Sequence, residues 1–310
     1  MILSRDSTGP ALVADGSIAA VGAFDGVHLG HLALLQKLVA RGQSLKLPTA
    51  VVCFEPLPRQ FFAREPLLRL TPFRERLERL RDIGIDHVLC LRFGDALANT
   101  GAAEFVRHVL VERLSAREVW IGPGFQFGRG REGNFDTLKR IGETRGFMAY
   151  EIPVFENAGG RVSSSRIRAA LGASDFAAAE RTLGRRYTYS GRVVRGQQLG
   201  RKLGFPTANL RWPQNSLGFG GIFAVRVSGA GLHRHAAVAS LGYRPAVGGK
   251  ELLLEVHLFD FAGDLYGHRL TVDFIAKQRD EWHFADLDAL VLQIRRDADE
   301  ALRLLGEKYA

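Results

Sequence analysis

Two histidines, His28 and His31, lie in a glycine-rich segment at residues 22–31 and have the types and spacing to bind phosphate. The apolar run at 18–21 predicts a strand before the segment, and the apolar spacing at 32–39 predicts a helix after it. Glycines let a backbone approach a phosphate closely, and a helix N-terminus adds about half a positive charge. The segment therefore predicts a phosphate site formed by these residues: Gly22, Phe24, Asp25, His28, Gly30 and His31.

A second chemical centre is predicted at residues 196–210, a glycine-rich basic turn. Thr207 and Asn209 are two apart, so they point the same way in an extended segment, and their neutral oxygens suit Mg²⁺. We expect phosphates to lie against Gly196, Gly200, Arg201, Gly204 and Pro206. A β-turn with its polar side chains capping backbone is the alternative.

Glu255 lies within an apolar strand-like run, where an unpaired carboxylate is costly. It is either a partner in an ion pair or a base whose proton affinity is tuned by burial.

Three further segments of the first half have residue types that suit ligands. Residues 54–58 end a buried strand with two prolines, and residues 122–133 combine glycines with two phenylalanines and arginines, which suits a phosphate and a flat ring. Residues 163–168 offer hydroxyls and guanidinium groups that could clamp a triphosphate. The alternatives are a rigid loop, a surface loop and a capped helix start.

The order of apolar segments predicts two domains. Strand-like and helix-like segments alternate up to about residue 155, which favours a parallel sheet with helices on both faces and ligands beyond the carboxyl ends of its strands. From residue 187, short β-like runs separated by glycines favour a small antiparallel barrel, and the last ~25 residues predict a helix. We place the domains at 1–183 and 186–310.

Several local boundaries follow from the same patterns. Thr71 is predicted as the N-cap of a helix with Pro72 at its first position. Single helices are predicted at 102–114, around 136–146 and at 171–183, and a strand near 149–155. Cys53 and Cys90 each lie in an apolar run, so we expect buried strand cysteines rather than a disulfide or a metal pair.

The motifs of the first half carry a family resemblance. H-x-G-H resembles the signature of the nucleotidylyltransferase superfamily, whose two histidines steady a triphosphate during attack on the α-phosphorus. Together with F-E-P-x-P, G-x-x-F-x-F-G-x-G-R-E-G and V-S-S-S-R-I-R, it resembles the adenylyltransferase half of bifunctional riboflavin kinase/FAD synthetases. The resemblance implies a nucleotidylyltransferase-like (Rossmann-like) fold and catalytic roles for His28 and His31. It also implies a second phosphate clamp at Ser164, Ser165 and Arg168, and flavin contacts from Phe54, Pro56, Phe125, Phe127 and Gly128.

The motifs of the second half resemble the riboflavin kinase family. They are G-R-x-L-G-F-P-T-A-N, L-G-Y-R-P, L-E-V-H-L-F-D-F with D-L-Y-G, and R-D-E-W-H-F. This resemblance implies a riboflavin kinase-like barrel in which Thr207 and Asn209 bind Mg²⁺ and ATP phosphates. It further implies that Glu255 takes the proton of the ribityl 5′-hydroxyl, and that Arg279 lies near the flavin or the nucleotide.

Four positions depart from the family patterns. Gly124 stands where Asp or Asn is usual, Leu57 where His or Gln is frequent, and Asn134 where Asp is common; Ala246 replaces a Thr in the second half. The first three departures could weaken FMN or metal binding in the adenylyltransferase half.

Composition narrows the remaining classes. The 310 residues are 46% hydrophobic and 24% charged, without an apolar run near the ~20 residues of a membrane span, so we expect a cytoplasmic globular protein. The net charge of +9 attracts anions in general, but basic residues form no block and do not alternate with aromatic ones as in an RNA-binding platform. We expect riboflavin, FMN, FAD and ATP as partners, neither nucleic acid nor membrane, and a monomer or weak oligomer.

The sequence thus predicts an enzyme that converts riboflavin to FMN and FMN to FAD at the expense of ATP, with Mg²⁺. Two alternatives stay open: a riboflavin kinase with a weak or inactive adenylyltransferase half, and a basic nucleic-acid-binding protein.

Overall fold

The computed structural model of the chain describes residues 1–5, 7–196, 199–212, 218–246 and 249–306. The chain divides into two units, one formed by Met1–Glu65 and Leu70–Ser164, the other by Pro66–Arg69 and the described residues from Ser165 onward. The domain boundary between residues 183 and 186 stays a prediction. Gln197 and Gln198 of the predicted kinase turn lie outside the described residues.

The first unit alternates strands and helices, as the sequence predicts. Its strands are β1 (Ile2–Ser4), β2 (Ser17–Val21), β3 (Thr49–Glu55), β4 (His87–Arg92), β5 (Ala116–Ile121), β6 (Met148–Glu151), β7 (Glu156–Asn157) and β8 (Gly160–Arg161). Its helices are α1 (Leu29–Leu45), α2 (Pro58–Phe62), α3 (Phe73–Ile83), α4 (Asp95–Ala98), α5 (Ala102–Phe105) and α6 (Phe135–Arg145), with a π-helix at Val106–Arg113 and a 3-10 helix at Arg129–Arg131.

Six of these strands form one parallel sheet in the order β1-β4-β3-β2-β5-β6. From β2 the chain adds β3 and β4 on one side of that strand, and it then adds β5 and β6 on the other side. Ligands of such sheets bind where the order of strands reverses in this way, here between β2 and β5, beyond the carboxyl ends of the strands. Segments 22–28 and 122–133 leave β2 and β5 at this edge. The predicted parallel sheet is confirmed.

Both faces of the sheet are covered, because side chains alternate along each strand. Ala19, Val21 and Val52 contribute to a core with α5 and the π-helix, whereas Ile18 and Val51 contribute to a core with α1 and α3. Cys53 and Cys90 are paired in register on β3 and β4, are buried in the second of these cores and are free thiols, which confirms their predicted burial.

The second unit is a closed barrel with strand order β10-β13-β12-β11-β14-β9, antiparallel throughout. Its strands are β9 (Thr188–Val194), β10 (Ala208–Arg211), β11 (Gly221–Gly229), β12 (Leu232–Ala246), β13 (Gly249–Leu258) and β14 (Arg269–Arg279); its helices are α7 (Ser164–Gly172), α8 (Phe176–Leu183), α9 (Leu199–Lys202) and α10 (Leu287–Leu305). Ala298, Ala301 and Leu302 of α10 pack against Ala224 and Ala236 on the barrel. The predicted barrel and C-terminal helix are confirmed.

Some predicted boundaries are wrong. Thr71 is not an N-cap, because α3 begins at Phe73 after Pro72 and the N–H of Thr71 donates to Asp25 instead. The predicted helix at 171–183 is two helices, because Ser174 has a left-handed φ of 57° and Asp175 caps α8 by accepting the N–H of Ala178.

Three further differences concern features that the spacing of apolar residues does not indicate. The predicted helix at 102–114 becomes a π-helix after Phe105, with hydrogen bonds that reach one residue further than in an α-helix. The predicted strand near 149–155 ends at Glu151, and the edge strand β1 was not predicted. Among the described residues, every helix is too short or too polar to cross a membrane.

Candidate active sites

The glycine-rich turn after β2 brings its two histidines together over the start of α1. His28 is the N-cap residue of α1, and its Nδ1 accepts the N–H of His31 at 3.3 Å. The two rings are stacked, with centroids 3.7 Å apart and planes within 14°. Because Nδ1 of His28 is an acceptor, the proton of the neutral ring is on Nε2, where it can be donated to a ligand.

His31 is half-buried and carries a polar atom without a hydrogen-bond partner among the described residues. This atom, Nδ1, is shielded from solvent. Burial lowers the pKa of His31 well below 6.5, and the nearby His28 and Arg76 lower it further. A neutral imidazole with an unsatisfied nitrogen beside a helix N-terminus is suited to an anionic ligand that supplies the missing interaction.

The other predicted residues of this turn hold it in place. The Asp25 carboxylate is buried and accepts the N–H groups of Leu70 at 3.1 Å and Thr71 at 3.2 Å, which ties the turn to the segment before α3. Ser164 donates its hydroxyl to the backbone oxygen of Asp25 at 2.9 Å. The ring of Phe24, a residue with φ 49°, lies 5.2 Å from the His31 ring.

Two glycines of the turn leave room for aromatic rings. A Cβ on Gly22 would lie 3.1 Å from the Phe24 ring, and a Cβ on Gly30 would lie 3.3 Å from Nδ1 of His28. Larger residues at these positions would displace the rings.

Ser165 and Arg168 of the predicted clamp lie on α7 and group with the second unit. The Nε of Arg168 donates to the backbone oxygen of Leu68 at 2.7 Å. Their role toward a nucleotide stays a prediction.

An aromatic cluster surrounds the end of β3, where a flavin contact is predicted. Phe54 is buried and meets the Phe93 ring edge-on, with centroids 5.8 Å apart. Phe93 also contacts Phe61 and Phe62 at 5.4 and 5.7 Å, and Phe62 is 65% exposed. Sequence reasoning missed these last three rings, although the Phe-Phe pair begins only three residues after Pro58. Together they offer an apolar surface at the carboxyl end of β3.

The loop after β5 is anchored by Phe127. This side chain is buried against Phe105, and its backbone N–H and C=O pair with Gly133 at 3.0 and 2.8 Å. The half-buried Phe125 ring lies parallel to it at 5.8 Å. Gly128 has φ 76°, and a Cβ there would lie 2.7 Å from the backbone nitrogen of Ala102, so this position requires glycine.

The structure gives two of the three departures in this half a local hydrogen-bond partner. The N–H of Gly124 donates to Glu151 at 3.1 Å, which brings a carboxylate to the loop where the family side chain is missing. Asn134 caps α6 by accepting the N–H of Thr137 at 2.9 Å, a role that Asn and Asp perform equally well. Leu57 is buried before α2.

The kinase turn packs its glycines against the two predicted metal ligands. A Cβ on Gly196 would lie 2.5 Å from the Asn209 amide nitrogen, and a Cβ on Gly200 would meet the Phe205 carbonyl and lie 3.5 Å from Oγ1 of Thr207. The Oδ1 of Asn209 is buried without a hydrogen-bond partner among the described residues. An unsatisfied buried oxygen in a glycine-lined turn fits a cation that coordinates oxygen.

Gly204, with φ 87°, closes the turn after α9, while Pro206 and Arg201 are exposed. The carbonyl of Pro206 accepts Nδ1 of His257 at 2.9 Å, so the extended segment is attached to β13. Sequence reasoning missed this anchor.

Glu255 lies on the same barrel face as the metal-ligand candidates. On β13 it pairs in register with Asn209 of β10 and Ser240 of β12, and residues directly opposite share a face. It is half-buried and, with Thr207 and Arg279, lines a cavity of about 720 Å³. This volume suits a drug-sized ligand.

Arg279, which was predicted near the ligand, has neighbours in the cavity wall that sequence reasoning missed, namely Asp297, Trp282 and Glu281. Arg279 pairs with the buried Asp297 of α10, Nε to Oδ1 2.9 Å, and its guanidinium lies 4.6 Å from the centre of the Trp282 ring. Glu281 accepts the hydroxyl of Ser240 at 3.0 Å. Within the part of the chain that the structure describes, no three His, Cys, Asp or Glu side chains are grouped to hold a metal.

Two family models match the chain. The FAD synthetase model matches residues 12–166, and the riboflavin kinase model matches residues 183–305.

Curated bacterial proteins and one solved structure are similar over nearly the full length. Proteins named bifunctional riboflavin kinase/FMN adenylyltransferase are 42% identical in Escherichia coli K12 (94% of each chain), 43% in Pseudomonas fluorescens (93% of each) and 38% in Haemophilus influenzae (93% of this chain, 94% of that one). The crystal structure of a macrolide-efflux protein from Streptococcus pneumoniae has a TM-score of 0.79 at 28% identity, covering 98% of this chain and 99% of that chain.

Proposed function

Because the chain belongs to the bifunctional riboflavin kinase/FMN adenylyltransferase family, we propose that its barrel phosphorylates riboflavin to FMN and its parallel-sheet unit adenylylates FMN to FAD. The enzyme is thus both a kinase and a nucleotidyltransferase. Riboflavin, FMN, FAD and ATP are its substrates and products.

The observation that carries the proposal is an unsatisfied buried polar atom at each of two sites, Nδ1 of His31 and Oδ1 of Asn209. Native proteins pair almost all such atoms, so each is a position that a bound ligand can complete. The first belongs to the first turn of α1, whose N-terminus suits phosphate, and the second is an oxygen suited to Mg²⁺.

In the barrel, Glu255 takes the proton of the ribityl 5′-hydroxyl as that oxygen attacks the γ-phosphorus and ADP leaves. Thr207 and Asn209 would hold Mg²⁺ with the ATP phosphates, and a cation held there would supply positive charge for the transferred group. Gly196, Gly200 and Gly204 let the backbone approach the phosphates, while Arg201 adds charge. Arg279, fixed by Asp297 and Trp282, forms a wall of the cavity for the flavin or the nucleotide.

In the parallel-sheet unit, an oxygen of the FMN phosphate attacks the α-phosphorus of ATP, and pyrophosphate leaves. His28 and His31 donate to the phosphate oxygens as negative charge develops there, beside the N-terminus of α1. Phe54, Pro56 and Phe125 contact the flavin. Phe127 and Gly128 support Phe125 from the core side, and Asp25 supports the turn.

The family resemblance assigns Ser164, Ser165 and Arg168 to a second phosphate clamp. A guanidinium suits this role because it keeps its charge at any working pH and matches phosphate geometry. We further propose a cytoplasmic enzyme, since the buried Cys53 and Cys90 are free thiols, as is usual in a reducing compartment. A monomer or weak oligomer stays a prediction.

The test is a chromatographic time course with purified protein, Mg²⁺, ATP and riboflavin, repeated from FMN. FMN that appears first and then gives way to FAD is the expected result. FMN that accumulates without FAD would favour the alternative with a weak adenylyltransferase half. Conversion of neither flavin would contradict both activities.

A further inference from the structure

Arg76 is a fully buried arginine that the sequence pattern places on an ordinary helix. It lies in the first turns of α3, between the exposed Arg74 and the partly buried Arg79, and only 1% of it is accessible. Arginine is almost never fully buried unless it is paired, because removing its charge from water is costly. A buried guanidinium therefore indicates a specific task.

The guanidinium joins the two turns that the proposed adenylyl transfer uses. Its Nη1 donates to the backbone oxygen of Ala23, in the phosphate turn, at 2.9 Å. Its Nη2 donates to the backbone oxygen of Phe54 at 3.1 Å and to the Glu55 carboxylate at 2.9 Å, both at the flavin end of β3. One rigid, planar group thus sets the spacing of the carboxyl ends of β2 and β3.

The position of Arg76 is itself fixed. Phe73, one turn earlier, stacks on the guanidinium at 5.3 Å, and α3 begins where Asp25 holds the backbone N–H groups of Leu70 and Thr71. The proximity of its charge also contributes to the low pKa of His31, after burial and His28. Arg76 therefore acts on the phosphate turn through both hydrogen bonds and charge.

Group transfer is sensitive to such spacing. The attacking phosphate oxygen and the α-phosphorus react only from a near-attack arrangement, and a misplacement of about 1 Å can lower the rate about 10²-fold. The two substrates lie, under the proposed function, on two different turns. We propose that Arg76 is a positioning residue for adenylyl transfer, which holds the ATP turn and the flavin turn in reactive register.

The test compares Arg76→Met, Arg76→Lys and the control Arg74→Met, whose native side chain pairs with Glu78 on the exposed face of the same helix. For FMN to FAD, we expect kcat to fall about 100-fold in Arg76→Met and about 5- to 10-fold in Arg76→Lys, with both KM values within about threefold. Lysine keeps the charge but replaces the planar fork by a single nitrogen. Arg74→Met keeps the wild-type kcat.

The readouts separate positioning from folding and from the proposed function. Thermal unfolding and far-UV circular dichroism report whether each variant is folded, and riboflavin phosphorylation by the barrel of the same samples gives the concentration of active protein; if Arg76→Met unfolds, Arg76→Lys alone decides. A wild-type kcat in folded Arg76→Lys, or equal losses in both variants, would overturn the positioning role. Absence of FAD synthesis in the wild-type protein would instead contradict the proposed function, and the two failures are thus distinguishable.

Discussion

The parallel-sheet unit and the barrel offer different chemical groups at their proposed ATP sites. The phosphate turn offers two stacked imidazoles and a helix N-terminus, and its carboxylate, Asp25, is occupied by backbone N–H groups. The barrel instead places a half-buried carboxylate, Glu255, in the wall of its cavity. The nucleophiles explain the difference. A phosphate monoester is largely dianionic at neutral pH, with a second pKa near ~6, and needs no base, whereas the riboflavin hydroxyl must lose a proton during attack.

The two turns also differ in the residues that hold them in place. The phosphate turn depends on distant residues, since Leu70, Thr71 and Arg76 of the first unit bind its backbone or its carboxylate. The kinase turn packs mainly on its own continuation, where Gly196 and Gly200 lie against Asn209 and Thr207. The first site is therefore more sensitive to substitutions far away in sequence.

The largest effect is expected for Glu255→Gln, which keeps the shape of the side chain and removes the base. Riboflavin phosphorylation should fall by about 10² to 10⁴, while FAD synthesis from FMN stays within twofold of wild type. The control is Glu300→Gln, whose native carboxylate pairs with Arg303 on the exposed face of α10. Full kinase activity in the Glu255 variant would leave Glu255 with an ion-pair role only.

His31→Asn should produce the reverse pattern. Loss of a donor to the developing phosphate charge is expected to lower kcat for FAD synthesis by about 10² to 10³, without change in FMN formation. His108→Asn is the matched control, because His108 pairs with Glu112 on the surface of the π-helix. Equal kinetics for both variants would exclude His31 from the reaction.

Gly128→Ala tests the flavin loop by steric means. The new Cβ would lie 2.7 Å from the Ala102 nitrogen at a left-handed φ, so the loop that bears Phe125 must shift. We expect the KM for FMN to rise about tenfold in the adenylyltransferase assay, since a contact common to ground and transition states is weakened. Gly146→Ala has a similar φ of 79° in open space and should leave that KM unchanged.

The smallest expected effect is a pH dependence of the unfolding free energy, which arises from His31 in the parallel-sheet unit. The pKa of His31 is lowered in the folded state, so the unfolded chain binds the proton first as pH falls. The unfolding free energy should therefore decrease below pH ~6.5, by at most about 1.4 kcal/mol per pH unit, and recover as pH rises. Denaturant unfolding between pH 5 and 8 measures this slope. The His31→Asn variant should lack it, and a slope that persists unchanged would contradict the assignment to His31.

Local signals in the sequence predicted the features that depend on neighbouring residues. The strand, glycine turn and helix around His28 and His31 were predicted because all the determinants lie within about 25 consecutive positions. The barrel was predicted because its strands alternate visibly with glycine turns.

Features that depend on tertiary contacts could not be predicted. Arg76 occupies a helix whose other arginines pair with acidic residues of the same helix, and only the fold brings Arg76 to Ala23 and Phe54. The Phe93 cluster and the Glu281–Ser240 contact likewise join distant segments. Strand β1 was not predicted, because its Ile2 and Leu3 are exposed at the edge of the sheet. The segment therefore lacks the alternation of apolar and polar residues that indicates a strand.

The most direct test of two separate chemical sites mixes the Glu255→Gln and His31→Asn proteins in one reaction with riboflavin, ATP and Mg²⁺. Each variant alone should fail to convert riboflavin to FAD. The mixture should form FMN on one protein and FAD on the other, with FMN detectable in solution as the intermediate. A mixture that makes no FAD, although each variant retains its one remaining activity, would contradict the account of two independent sites.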